Sequence, residues 1–504
     1  MAAFNITPTT LSQAQHPKSK AKLSKAQRKK RKISKRTSTL KAAAPRKAIV
    51  DVPQVKRRIE RGALVHSITS NGTIAAAAMV AAALLAVIVA NSPAWESVHH
   101  ALNAPLEIVI GSFSAHISVE EFVNDFLMAI FFLLVGIELK YEMTVGELQR
   151  PRQAALPMLA AVGGVCVPAL IYAVMNAGGA IDGWAIPIAT DIAFALGVMS
   201  LLGKSIAPET KVFFQTLAIA DDILAIVVIA LFYGQTPDIA WVGASLLTIL
   251  VLWFLLHRKI YSARPYLVVG FILWICMYNS GIHATLAGVI LAFFLPVRSD
   301  VHLSSLTEWL GSRAEVLDEH YEDDCHVLGQ HHFISEAGEI ERVMHHVTPP
   351  LQRVEHAIAM PVNFIILPIF AFVNAQVRLV GADFGAILTN HITQGAFFGA
   401  VLGKPIGIIG VTLLLVKLGI FKLPRNVDAR QVIAVGLMGG LGFTMSILIS
   451  GLAFSDTVEV TAAKCAILAG SIAASLLGLL FIKLGDMKDS FKEFMAQTED
   501  EPNA

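Results

Sequence analysis

The chain has 504 residues, 55% of them hydrophobic and only 15% charged, whereas soluble proteins carry roughly a quarter charged residues. That balance excludes an ordinary soluble enzyme and describes a polytopic membrane protein. The net charge of +2 conceals a division: residues 1–61 hold 18 Lys and Arg against Asp51 and Glu60, a net of +16, and the remainder is net −14.

The basic stretch, "KSKAKLSKAQRKKRKISKR" within residues 1–64, has no apolar period and repels itself, so it reads as a disordered arm. Held at the cytoplasmic face, it would be drawn to anionic lipid at roughly 1 kcal/mol per basic residue near the surface. Nucleic acid is not expected as a partner, because no aromatic residues interleave the charges. A transit peptide fits the lack of acids in residues 1–50, but the arm is Lys-rich and not amphipathic. Four cysteines, Cys166, Cys276, Cys325 and Cys465, show no CxxC spacing and indicate no disulfide framework.

Twelve apolar segments follow, over residues 72–90, 120–138, 154–175, 183–202, 212–233, 240–256, 266–279, 283–297, 357–375, 395–416, 431–453 and 461–482. Loops after even-numbered segments carry the basic residues, among them Lys140, Arg150, Lys204, Lys211, Arg258, Lys259, Lys417 and Arg425. Loops after odd-numbered segments carry almost none. The positive-inside rule therefore puts the even-side loops and both termini in the cytoplasm. The expected fold class is an all-α polytopic membrane protein of about twelve spans, occupying residues 65–485, with a cytoplasmic tail over 486–504.

Four ionisable residues sit well inside apolar segments: Asp191, Asp221, Asp222 and Lys404, the last read as the only lysine deep in a span. Asp125, near the start of the second segment, is a weaker fifth. A carboxylate at mid-bilayer costs roughly 2.5–3.5 kcal/mol on insertion scales. A single buried charge can be a packing salt bridge. Two adjacent acids are a poor way to pack helices, because like charges in contact raise one another's proton affinity. They are a natural way to hold either a proton or a cation. Consecutive helical residues point about 100° apart, so one aspartate can pair with Lys404 while the other faces a cavity.

Two segments carry helix-breaking residues mid-span: Pro187 with Thr190 and Asp191 in "IPIATDIAFALG", and Gly439, Gly440 and Gly442 in "GLMGGLGFTMSIL". Interrupted segments at corresponding positions of two halves point to a transporter site. Facing half-helix N-termini call for a negative charge and facing C-termini for a positive one. Asp191 and Lys404 suit those tasks.

The stretches "FLMAIFFLLVGIELK", "GWAIPIATDIAFALGV", "LAIADDILAIVVIALFY", "SGIHATLAGVILAFFLP", "LPIFAFVNA", "GKPIGI" and "GLGFTMSILI" run in order over residues 65–485. Together they resemble the NhaA family of bacterial Na⁺/H⁺ antiporters. The resemblance implies inverted-topology repeats with broken, crossing fourth and eleventh helices. It implies a cation- and proton-binding pair at Asp221 and Asp222, with Lys404 paired to Asp221, and Thr190 and Asp191 at the crossing. It further implies electrogenic exchange of internal Na⁺ or Li⁺ for external H⁺ at the bacterial inner membrane, favoured at alkaline pH and serving pH homeostasis and sodium tolerance. Residues tied to the pH response match Glu138, Lys140, Glu142, His283, Glu355 and His356. A homodimer is implied, and no cofactor or resident metal.

Two departures stand out. Tyr141 occupies a position where the family pattern often has Arg, and the acidic connection over 298–350 is long. Eight of the sixteen histidines lie between residues 300 and 356. A solvated loop with a short helix, a pH-modulating element and a metal site at Cys325, His331 and His332 are the readings of that connection; the spacing fits no standard zinc pattern. The rival function is a sodium-coupled symporter of an organic anion, which needs a cationic contact that only Lys404 offers. A channel leaves the acid pair without a purpose. A membrane enzyme lacks any HExxH, GxSxG or cofactor motif, and a non-transporting scaffold leaves the intramembrane charges unexplained.

Overall fold

The computed structural model describes residues 72–499, except 111, 112, 150, 235, 300, 302, 323 and 381–383. The basic arm over 1–64 lies outside the described residues.

Among the described residues, eight helices are long and apolar enough to cross a membrane: Gly72–Ala90, Val119–Thr144, Ala154–Met175, Pro208–Phe232, Ile239–His257, Pro350–Asn374, His391–Lys417 and Thr457–Asp486. Two helix pairs, Ile181–Ile188 with Ile192–Leu201 and Ala429–Gly439 with Phe443–Ala453, are each bent by 41° at a short break. Shorter apolar helices at Ala263–Asn279 and Leu286–Phe294 complete the twelve apolar segments. The protein is thus a multi-pass, nearly all-helical membrane protein. Its outward surface fits that medium. The 239–257 helix exposes Leu246, Leu247, Leu250, Trp253 and Phe254, a stripe that would drive association in water and that lipid tails cover in a bilayer.

Helix ends follow caps rather than the limits of the apolar runs. Asp238, Asn390 and Asp428 cap helices that begin one to four residues ahead of the apolar segments over 240–256, 395–416 and 431–453, and Pro208 opens another at a position where its missing N–H costs nothing. The eighth segment is the reverse case. Its helix covers only 286–294, because Gly281 turns the chain at φ +77 and Pro296 follows the helix.

One element adds to the helical architecture: a two-stranded antiparallel hairpin, Pro105–Ile110 with Phe113–Ser118, in register Pro105↔Ser118. Its second strand, FSAHIS, alternates apolar and polar residues, a signature of paired strands. The hairpin hands over to the 119–144 helix through a capping box. The Ser118 hydroxyl accepts from Glu121 N–H at 3.1 Å, and Glu121 Oε2 accepts from Ser118 N–H at 2.9 Å.

The 298–350 connection carries two 17-residue helices, Leu303–Glu319 and His331–Val347, rather than a plain loop with one short helix. Arg313 joins them, at 2.9 Å to Glu336 and 3.1 Å to Glu339. Among the described residues no three His, Cys, Asp or Glu side chains gather as metal ligands.

Close helix packing runs between the 151–175 and 391–417 helices. Gly399, Gly403 and Gly407 recur every four residues, a spacing that lets backbones approach. A Cβ on Gly407 would stand 2.1 Å from the Gly163 carbonyl oxygen, and one on Gly403 would stand 2.9 Å from Pro168 Cα. This seam sets the position of Lys404, which lies inside it. Gly407→Leu is expected to force the two helices apart and to cost about 1–3 kcal/mol or more, read as a lowered melting temperature of the purified protein. Melting like the parent's would show that the seam has slack.

Candidate functional site

The two broken chains meet at their breaks. Residues 189–191 and 440–442 interrupt their helices, and Asp191 N–H donates to the Leu441 carbonyl at 2.6 Å. Gly442 has to be glycine for this approach, since a Cβ there would stand 2.6 Å from the Ala189 carbonyl oxygen. Gly440 is held as tightly, with the Ala400 carbonyl 2.6 Å from where its Cβ would be. Ser446 Oγ closes the other side by donating to the Ile186 carbonyl at 2.6 Å. Pro187 lies in the last turn of the 181–188 half-helix, against Gly399.

Asp191 serves both half-helix N-termini. Its Oδ1 accepts from Phe194 N–H at 3.0 Å, capping the 192–201 helix. Its Oδ2 accepts from Thr444 N–H at 3.3 Å and from Thr444 Oγ1 at 2.8 Å, in the first turn of the 443–453 helix. A carboxylate is favoured at such ends by the helix dipole and by the free N–H groups. The two opposed C-termini are met by donors. The Lys404 ammonium donates to the Ile188 carbonyl, and Thr190 Oγ1 lies 3.1 Å from the Gly439 carbonyl, its single proton shared between that oxygen and Asp221.

Asp221 and Asp222 stand near the middle of the 208–232 helix, about 20 Å from its start. Both are buried, Asp221 fully and Asp222 to 5% exposure. Asp221 Oδ2 accepts from Lys404 Nζ at 3.0 Å and from Thr190 Oγ1 at 2.7 Å. Lys404 is also fully buried, and a π-helical turn over Gly399–Gly403 immediately precedes it, a distortion that recurs at functional positions. Asp221 Oδ1 and Asp222 Oδ1 are buried with no hydrogen-bond partner among the described residues. Such orphaned acceptors are costly unless a proton, a cation or water satisfies them. One carboxylate is therefore engaged by a lysine and the other is not. The Asp221 carboxylate, the Thr190 hydroxyl and the carbonyls of Ile188 and Gly439 thus lie together around the Lys404 ammonium, with Asp222 next to Asp221 in the chain; hard cations take oxygen ligands.

The residues matched to a pH response divide. Glu138 lies within electrostatic range of Glu142 and Glu355, which sit respectively one turn further along its own helix and on the 350–374 helix. His356 is exposed beside Glu355. Lys140 donates to the Phe293 and Leu295 carbonyls, each at 2.6 Å, at the C-terminus of the 286–294 helix, where a cation is favoured. His283 is elsewhere. Its Nε2 is 2.8 Å from the Tyr233 carbonyl, and it lines a cavity with Asp125 near the start of the 119–144 helix.

Sequence reasoning misses three features. Thr444 stands out beside the glycines, but not as the donor that fixes Asp191. The seam at Gly399, Gly403 and Gly407 escapes it, although the four-residue spacing is readable. Lys464 escapes it as well, because it stands near the start of its apolar segment; it too faces a cavity within the membrane domain.

The family model described as Na⁺/H⁺ antiporter 1 matches residues 66–482. Among curated relatives, a Na⁺/H⁺ antiporter NhaA of Janthinobacterium sp. (strain Marseille) is 42% identical over 80% of this chain and 88% of its own length. Na⁺/H⁺ antiporter NhaA 1 of Saccharophagus degradans is 41% identical over 84% of this chain and 91% of its own. The NhaA of Proteus mirabilis is 40% identical over 80% and 92%. These relatives are transporters by name, and none is a symporter. The organic-anion reading also lacks its contact, because the Lys404 ammonium is already engaged by Asp221 and the Ile188 carbonyl.

Proposed function

The chain belongs to the Na⁺/H⁺ antiporter 1 family, and from that premise we propose that it exchanges cytoplasmic Na⁺ or Li⁺ for external protons, moving more protons than cations per cycle and running faster at alkaline pH. One observation carries the reading. Asp221 Oδ2 is shared by Lys404 and Thr190, beside a second buried carboxylate, Asp222, whose Oδ1 has no partner among the described residues. A cation arriving at Asp221 and Asp222 competes with protons on the pair and with Lys404 for the same oxygens. Binding the cation therefore expels positive charge as protons. One bundle then rocks against the other around the crossing, protons reload from outside, and the cation leaves. Competition is the coupling, since a site that holds one or the other cannot carry both. The direction of the pH dependence follows. Raising pH strips protons from the carboxylates and favours cation entry until protons become too scarce to complete the cycle.

Around this centre, Glu138, Lys140, Glu142, Glu355 and His356 would tune entry from the cytoplasmic side, with His283 acting at the opposite end. The protein would reside in the inner membrane with both termini inside, the basic arm against anionic lipid, and a homodimer as the working form.

The test uses inside-out vesicles from cells lacking their own antiporters. A proton gradient is established and reported by a dye, and Na⁺, Li⁺ or K⁺ is added from mildly acid to alkaline pH. Dissipation by Na⁺ or Li⁺, growing with pH and driven by an imposed membrane potential, is the expected result. No dissipation by well-expressed protein at any pH overturns the reading.

A further inference from the structure

The polar cavity lined by His283 and Asp125, of about 240 Å³, lies beyond the helix crossing. At ~30 Å³ per water it has room for a hydrated ion. Glu120, Asn124 and Asp125 enter it from the first turns of the 119–144 helix, and Asn374 and Lys464 from the 350–374 and 457–499 helices. The second half-helix, 443–453, forms another wall through Ile447, Leu448 and Gly451. That half-helix leads from Thr444, which touches Asp191, directly to the cavity. Asp125 and Lys140 are on one helix, roughly 22 Å apart along its axis, so the cavity is at the end away from Lys140.

The chemistry of its walls is not that of a packing defect. Asn374 is 5% exposed, and its amide donates to Asn124 Oδ1 at 2.6 Å, tying two walls together. A π-helical turn over Phe122–Leu127 carries Asn124 and Asp125, as another precedes Lys404. Glu120 and Lys464 lie within electrostatic range of each other. Yet among the described residues no side-chain ion pair or hydrogen bond engages Glu120, Asp125 or Lys464. Two carboxylates and one ammonium thus face a shared polar cavity without closing on one another. Nothing in the exchange mechanism above uses them.

We propose that this cavity is a second, weaker ion station on the route between the aspartate pair and the far side, where Glu120 and Asp125 receive a hydrated monovalent cation and Lys464 competes with it for them. A conducting path needs sites that bind well enough to admit an ion and loosely enough to release it. A resident ammonium supplies that looseness. Held near the carboxylates without closing on them, it weakens their grip on an ion and repels one that lingers.

The proposal rests on the antiport reading, and its test separates the two. Purified protein is reconstituted in liposomes in one orientation, and exchange is measured with Na⁺ varied on one side at a time. Asp125→Asn and Glu120→Gln are each expected to raise the half-saturating Na⁺ concentration several-fold on the cavity side alone. Lys464→Met is expected to lower it on that side alone. Opposite signs from acid and base variants exclude a general structural effect. If Asp125→Asn fails to fold, Glu120→Gln and Lys464→Met carry the same comparison. Unchanged half-saturation on the cavity side, or equal shifts on both sides, overturns the proposal. Absence of exchange in the unmodified protein instead defeats the antiport reading.

Discussion

Asp222→Asn is expected to abolish Na⁺-driven proton exchange, down to the background of vesicles without the protein, while the protein still inserts and folds. The amide matches the carboxylate in size and shape, so packing in the 208–232 helix is kept. No hydrogen bond of Asp222 Oδ1 is lost, because it makes none among the described residues. Removing one of two adjacent buried acids also relieves their mutual repulsion, so stability is expected within about 1 kcal/mol of the parent or above it. What disappears is chemistry. An amide can neither release a proton to an arriving cation nor offer it a negative oxygen. Membrane insertion and melting of the variant, measured beside transport, separate a chemical loss from a structural one. Exchange at the parent's rate would remove Asp222 from the site.

Lys404→Met is expected to destabilise the protein heavily, by about 3–5 kcal/mol, the range for removing one partner of a buried ion pair. The Lys404 ammonium is bound to Asp221 Oδ2 and to the Ile188 carbonyl at a half-helix C-terminus. Methionine fills the space, takes the ammonium from the Ile188 carbonyl and leaves the buried Asp221 carboxylate without its counter-charge, with Thr190 Oγ1 as its remaining hydrogen-bond partner among the described residues. The loss is expected to shrink sharply in the double variant Lys404→Met with Asp221→Asn, where no buried carboxylate is stranded. Melting temperatures of the parent, both single variants and the double variant form a thermodynamic cycle that isolates the pair. Additive losses would show that Lys404 and Asp221 do not depend on each other.

These two residues also show what a sequence makes legible. A charge in a long apolar run is rare and expensive, so Asp191, Asp221, Asp222 and Lys404 stand out from the residue order alone, and all four lie at or beside the crossing of the broken chains. Pro187 and the glycines at 439, 440 and 442 mark where those chains break, because each removes a donor or a Cβ that a regular helix would have. Other features depend on neighbours far apart in the chain. The carbonyls of Ile188 and Gly439 are no different from any others until the half-helices end there. Thr444 is one threonine among many until Asp191 is set against it. Helix limits depart from the apolar runs where a cap such as Asp238 or Asp428 lies outside them. The 105–118 hairpin falls between spans, where attention to apolar length passes over an alternating pattern. Lys464 is hidden for a related reason: a lysine a turn inside a span passes for a surface residue, until the walls of a cavity close around it.

Competition between a cation and protons for the same carboxylates is the central claim. Its most direct test is to measure protons released when Na⁺ or Li⁺ is added to the purified protein in weakly buffered detergent solution at alkaline pH, beside Asp222→Asn. Proton release that saturates with the cation, and vanishes in the variant, is the result expected. Saturable cation binding with no proton release, or equal release from Asp222→Asn, would contradict it.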